Sequence, residues 1–370
     1  MKSSRRSPRK PLTRRSLLCR LGLTAAAGTG AASVLGVNPA LAELTAEHTG
    51  HEAGMAAAGE GGAPAAAMGA MHAGGHSGAT FRSGEGVDPA VNGFDPSELL
   101  RDFDWGRTSR MADGRTLREW DLNAIEKEIE VAPGVRYPAW TYNGRIPGPT
   151  LRCNEGDRLR IHFGNGSMHP HTVHFHGIHP ASMDGVPGIG AGLIPPGGRT
   201  TYEFDAEPFG LHLFHCHVSP LAEHIARGMY GTLIIDPARG RPEADEMVMV
   251  MAGYNTTLDG EGNQLYFVNG IPFHYMYEPI KVRQDELVRI YLTNLLEYDL
   301  LNSFHLHANF FDYYPTGTRL EPGEFTDTIS QVQGQRGILE VKFPFKGKYM
   351  FHAHQSEFAE LGWMGFFEVV

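Results

Sequence analysis

Ten of the 19 histidines in this chain fall in four short motifs: "HTVHFHG" from His171, "FHCHVSPLAEHIARGM" from Phe214, "FHLH" from Phe304 and "FHAH" from Phe351. Each motif holds an H-x-H pair: His174/His176, His215/His217, His305/His307 and His352/His354. On a strand, residues i and i+2 point to the same face. Eight imidazoles converging on one surface are costly to bury unless something binds their lone pairs. A metal does that, and imidazole suits copper, zinc, iron and nickel. Cys216 narrows the choice, because a blue-copper site combines two His, one Cys thiolate and a weak axial Met. His171, Cys216, His224 and Met229 supply that set, the last three spaced as Cys-x7-His-x4-Met. A zinc site would draw more thiolates, or three His with an open water position, and would leave Met229 unexplained.

The motifs come in two copies. In the second, Asn302 stands for His171, Ala353 for Cys216 and Leu361 for His224, while all eight H-x-H histidines are kept. The loss is selective, so the two ligand sets serve separable purposes. One electron-accepting copper survives per chain. The other set, four His from each copy, is expected to bind metal shared between a first and a second domain.

The elements that must position these residues read as strands. Short alternating runs such as "RLRIHF", "RTTYEFDA", "GTLIIDP", "LVRIYLTN" and "ILEVKFPF" are punctuated by "NGRIPGPT", "LIPPGGRT" and "RLEPGE". Helical periodicity is almost absent, which is the pattern of an all-β sandwich protein. "YNGRIPGPTLRCNEGDRLRIHFGN" is echoed by "VNGIPFHYMYEPIKVRQDELVRIYLTN". Two tandem sandwiches are therefore expected, over 113–240 and 243–370, joined by "DPARGRPEADE".

Ahead of them, residues 1–42 read as an export signal: Arg14-Arg15 precede an apolar run that ends in Ala40-Leu41-Ala42. The twin arginines predict the Tat route and a periplasmic or secreted protein. The Ala-, Gly-, His- and Met-rich stretch that follows predicts a disordered segment and linker over 43–112. His48, His51, Met55, Met68, Met71, His72 and His76 either capture copper loosely or are incidental to a linker. No other segment reaches the roughly 18 apolar residues of a membrane span. Net charge is −10 with no basic block outside the signal, so nucleic acid is not an implied partner. Cys19 leaves with the signal. Cys153 reads as a buried small hydrophobe, and no disulfide is expected because Cys216 has another role.

On these motifs the chain resembles the two-domain multicopper oxidases of the small bacterial laccase type, and the related copper nitrite reductases, over roughly 130–370. The resemblance implies cupredoxin-like Greek-key sandwiches and four coppers per chain. His171, Cys216, His224 and Met229 would hold type 1 copper, and His174 and His305 type 2 copper. The type 3 pair would take His176, His215, His217, His307, His352 and His354. It implies one-electron oxidation of phenols and aromatic amines, coupled to reduction of O2 to water, with Cys216 linking the first copper to the other three through its histidine neighbours. Asp184 matches the acidic residue that relays protons, beside the plainer reading of an Asp-Gly turn. Glu357 and Glu360 read as structural. His162, His169, His179, His212 and His274 read as surface or packing residues, with His212 close behind the "HCH" motif. A homotrimer is implied, the first domain of one subunit closing against the second domain of the next. Oxidation of Cu(I) or Mn(II), nitrite reduction and non-enzymatic copper carriage stand as alternatives. Nitrite reductases use three His on a lone type 2 copper and an Asp where this chain has His174.

Overall fold

The structure, a computed structural model, describes residues 86–370. The signal and the His/Met-rich stretch to residue 85 lie outside the described residues. Strands dominate, arranged in four sheets that pair off as two sandwiches. In strand Arg158–Asn165 the burial alternates, with Leu159, Ile161 and Phe163 inside. Outside, Arg158 and Arg160 pair with Glu203, and His162 reaches Glu119 and Thr201. That alternation is what a strand needs when only one face meets a core.

The internal repeat carries through to strand order. In the first sandwich, Thr116–Ala132 pairs in parallel with Arg158–Asn165, which pairs antiparallel with Arg199–Asp205. In the second, Asp245–Tyr254, Leu287–Asn294 and Arg336–Lys342 repeat the same two relations. The facing sheets match as well. Thr150–Asn154 runs parallel to Tyr230–Asp236, which pairs back on Gly210–His215; Ile280–Val282, Met364–Val369 and Gly347–His352 do likewise. The mostly-β, cupredoxin-like fold expected from the sequence is the fold observed.

Three cores hold it. One fills the first sandwich and includes Cys216 and Met229; one fills the second and includes Ala353 and Trp363. A third lies between the sandwiches and draws on both. Along Asp245–Tyr254, Met247, Met249 and Met251 face the second sandwich's interior, while Val248, Val250, Ala252 and Tyr254 face this third core. Such a strand is buried on both sides, so its sequence reads as a continuous apolar run. The sandwiches are thus packed together, not merely joined by "DPARGRPEADE".

One expectation is corrected. The described part of the 43–112 segment is folded. Asp88 and Asp95 cap two short helices, Pro89–Asn92 and Pro96–Leu99, each with proline in its first turn. This strap buries Val87, Phe94, Leu99 and Leu100. Asn92 bonds the Glu130 backbone in both directions, at 2.7 and 2.8 Å, in the first sandwich. Tyr275 Oη donates to Pro96 O at 2.8 Å, and Val248 N to Leu100 O at 2.9 Å, in the second. His274, a residual histidine, is buried against Ser97 Oγ at 2.8 Å.

Candidate metal centre

The first ligand set gathers at one end of the first sandwich. His171 lies on a bridge to Ile194, and Asn165 Nδ2 fixes that bridge by donating to His169 O and Ile194 O at 2.8 and 2.9 Å. Cys216 follows directly on strand Gly210–His215, and its N–H donates to Met229 O at 2.9 Å. His224 sits on the short helix Leu221–Ala226, after which the chain returns as strand Tyr230–Asp236. The Cys-x7-His-x4-Met spacing is the length of that strand, helix and return.

Three ligand atoms converge. His171 Nδ1 is 3.2 Å from His224 Nδ1, and Cys216 Sγ lies 3.6 and 3.3 Å from the two nitrogens. A triangle with these edges has its centre about 2 Å from each corner, the length of a bond from a transition metal to imidazole or thiolate. The tautomers suit the same reading. Ser167 Oγ donates to Glu126 Oε1 at 2.7 Å, so it must accept from His171 Nε2 at 2.9 Å. His171 Nδ1 therefore carries a bare lone pair aimed at His224 and Cys216. All three residues and Met229 are buried. Burial drives His171 down to about 3 and His224 to about 4, so both rings stay neutral. Burial pushes the Cys216 thiol up to about 11. Neutral rings and a thiol that must lose its proton to a cation are what a soft metal with mixed N and S ligands requires.

The H-x-H histidines form two matching quartets. His174 lies directly across from His215, and His305 directly across from His352. His176 Nε2 faces His215 Nε2 at 2.9 Å, and His307 Nε2 faces His352 Nε2 at 3.0 Å. Backbone carbonyls set the tautomers, since they only accept. His215 Nδ1 donates to Cys216 O at 2.8 Å and His352 Nδ1 to Ala353 O at 2.6 Å. His174 Nδ1 donates to Asp184 O at 2.8 Å and His305 Nδ1 to Asp327 O at 3.0 Å. Four bare Nε2 atoms result, two on each sandwich. Burial lowers His176 to about 3 and His215 to about 4. His217 and His354 complete the quartets, their rings 5.2 and 5.4 Å from His174 and His305. Among the described residues, each close His group belongs to one sandwich: His174, His176 and His215, or His305, His307 and His352.

The vacated site in the second sandwich is filled by protein. Ala353 N donates to Trp363 O, as Cys216 N does to Met229 O, so Trp363 stands where Met229 stands. Its indole Nε1 donates to Asn302 Oδ1 at 3.1 Å, and both residues are fully buried. A hub residue also repeats. Thr172 Oγ1 accepts from His217 N at 3.0 Å, and Ser303 Oγ accepts from His354 N at 2.8 Å. Only Thr172 turns its N–H toward a sulfur, Cys216 Sγ at 3.5 Å. These partners carry no spacing signal; aligning the two copies residue by residue would have pointed to them.

Asp184 lies beside His174, its Oδ1 3.1 Å from Nδ1. Gly185 permits this approach, since at φ +68° a Cβ there would sit 1.9 Å from Val173 O. His179, read from sequence as a packing residue, joins the pair: its Nε2 is 3.6 Å from Asp184 Oδ1 and 2.6 Å from Phe175 O. His212 bridges Pro208 O and His176 O at 2.8 and 3.2 Å. Glu357 and Glu360 are exposed on helix Ser356–Glu360. Cys153 is buried and, like Cys216, free of any disulfide. Among the described residues no helix is long and apolar enough to cross a membrane.

Residues 123–240 and 242–370 each match a family profile described as multicopper oxidase. A solved structure, "Crystal structure of multicopper oxidase", is 67% identical with a TM-score of 0.76, covering 77% of this chain and 100% of that one. A "Copper-containing nitrite reductase" of Neisseria meningitidis serogroup A is 30% identical over 253 residues, 63% of this chain. The chain spans 64% of that relative's length. "Laccase-2" of Botryotinia fuckeliana is 37% identical over 123 residues, 32% of this chain and 20% of that protein.

Proposed function

Because the chain belongs to the multicopper oxidase family, we propose that it acts as a laccase-like enzyme. Four phenols each lose one electron and one proton, and one O2 takes up the four of each to give two waters. Aromatic amines would serve as donors in the same way. Copper, when bound, supplies the one-electron redox steps and the four-electron capacity. His171, Cys216, His224 and Met229 would hold one copper. His174 and His305 would hold a second, and the other six H-x-H histidines the remaining two.

The observation that carries this reading is the position of Cys216. Its sulfur closes the first ligand triangle, while its peptide neighbours His215 and His217 belong to the first quartet. Thr172 braces the same junction, with its N–H toward Sγ and its Oγ1 under His217 N. His224 lines the cleft at which a donor would arrive. Asp184 and His179 sit behind His174, where protons must reach the O2 site.

Homotrimer formation belongs to the same proposal. A quartet on one sandwich offers half the ligands of a cluster, and His307 and His354 are solvent-exposed. Phe310 and Phe325, rings 5.3 Å apart, are 55% and 67% exposed on the same sandwich, as an apolar contact with a second copy would require. Export by the Tat route rests on residues 1–42 alone.

Nitrite reduction is the second reading, favoured by the Neisseria relative. A lone three-His copper leaves five of the eight H-x-H histidines without a role. Steady-state O2 uptake with 2,6-dimethoxyphenol, with Cu(I) and with nitrite plus a reductant decides between the readings. Uptake driven by the phenol is expected. Nitrite consumption without phenol-driven O2 uptake would reject the oxidase, and uptake with Cu(I) alone would make it a metal oxidase.

A further inference from the structure

A cleft of about 420 Å³ opens beside His224, and its charged lining is unevenly committed. Glu223 Oε1 takes two bonds from Arg227, at 3.0 and 2.8 Å, and Arg227 Nη1 donates to Pro138 O at 3.0 Å. The guanidinium also lies 4.4 Å from the ring centre of Trp140. Three of its five N–H groups and one face are therefore committed within the wall, which leaves less of that cation for a ligand. Trp140 is engaged too, with the His169 ring 4.5 Å from it and the His171 and His224 rings at 5.6 and 4.7 Å.

Glu126 is the exception. Ser167 Oγ, Met168 N and His169 Nδ1 all donate to one of its oxygens, Oε1, at 2.7, 2.7 and 2.8 Å. Its other oxygen, Oε2, has no partner among the described residues. The side chain is 33% exposed, so it is both fixed and reachable. Burial pushes this carboxyl up, but the three hydrogen bonds outweigh it and bring it down to about 2. Glu126 is thus a permanent anion held rigidly on the wall of a cleft that also exposes His224. With histidines counted neutral, two carboxylates and one guanidinium leave the lining at −1. The chain as a whole carries −10, so the long-range field has the same sign.

We propose that this cleft selects aromatic donors that carry a separate cationic substituent, such as phenols with an alkylammonium side chain, over anionic ones, with Glu126 Oε2 receiving the ammonium group. The inference rests on the oxidase reading for the cleft's use, and names the donor class that reading leaves open. Recognition comes from a fixed charge rather than ring stacking, because the one tryptophan in the lining is already covered. A preorganised anion needs no reordering when the donor arrives, so its attraction shows mainly in the second-order rate.

The test uses two 2,6-dimethoxyphenols that differ only at the para position, one bearing a trimethylammoniomethyl group and the other a sulfomethyl group. Each is mixed anaerobically with the copper-loaded protein, and bleaching of the visible Cys216–copper band is followed. The cation should bleach it about tenfold faster at low ionic strength, with the gap closing as salt rises past about 0.15 M. In Glu126→Gln, which keeps an acceptor oxygen for Ser167, Met168 and His169, the preference should fall to about twofold or less. An unshifted band confirms that the variant's copper site is intact. Should that variant not fold, the wild-type salt dependence decides alone: the cation's rate must fall with salt and the anion's rise. A preference unchanged in Glu126→Gln, or salt dependences that are flat or reversed, would overturn the inference. Bleaching with the expected charge preference but no O2 uptake would leave it standing and remove the oxidase reading instead.

Discussion

In the proposed function Cys216 concentrates the chemistry in one side chain, and two predictions attach to it. Buried, its thiol titrates near 11, while His171 and His224 stay neutral down to about 3 and 4. Copper binding at this triangle must then release one proton per chain between about pH 5 and 9, from the thiol alone. Apparent affinity should fall about tenfold for each unit by which pH drops in that window. A pH-stat titration of the metal-free protein checks this by difference, since Cys216→Ser should release one proton fewer and never turn blue. Release of two or three protons would mean that the imidazoles are charged before copper arrives. A third prediction concerns Asp184, whose carboxylate faces His174 across 3.1 Å. Asp184→Asn should slow reoxidation of the reduced protein by O2 by about a hundredfold to ten-thousandfold, the usual range for a lost proton-transfer group. Bleaching by the donor should hardly change. Equal slowing of both half-reactions would point to a displaced loop, because Gly185 ties that loop to Val173.

Among the elements, the strap from Gly86 to Asp104 is the one whose role its sequence hid. It seals the core between the sandwiches, with Phe94 only 7% exposed and in the same cluster as Ile146 and Ile271. Phe94→Ala should cost about 3 kcal/mol, the range for a truncated buried aromatic, and lower the thermal midpoint. The blue band should keep its position, since Phe94 belongs to a different core from Cys216 and Met229. A shifted band in folded Phe94→Ala would show that the strap also shapes the copper site. The second sandwich illustrates the converse. Trp363 with Asn302 fills the volume a copper site would need, so losing the ligands left no cavity to destabilise the fold.

For the whole molecule the open quartets are decisive. In the proposed reading each sandwich gathers half of a cluster's histidine ligands, and closed cyclic assembly is the usual way to satisfy such half-sites. Sedimentation should give three times the protomer mass. Co-refolding a His174→Ala/His176→Ala chain with a His352→Ala/His354→Ala chain should restore part of the activity that either lacks alone, because some interfaces then pair two intact halves. Full activity in a sedimenting monomer would refute this assembly.

The sequence by itself determined the two-copy β plan and which histidines gather together with Cys216 or with one another. Those depend on local facts: period-two alternation, H-x-H pairs that straddle strand ends, and the fixed length of the turn from Cys216 to Met229. It also showed that the second copy had lost His171, Cys216 and His224 equivalents. What filled the gap was decided only in the folded chain, since Trp363 reaches Met229's place through a loop of different length. The strap was legible in part, because "VDPAVNGFDPSELL" carries two Asp-Pro helix starts, but its burial depends on surfaces that both sandwiches supply. The three bonds on Glu126 Oε1 are tertiary, joining residues 41 to 43 apart in the chain. The Asp184–His179 contact and the tautomers of His215 and His352 are local in sequence, but their geometry follows from the loop and strand-end conformations that the fold imposes.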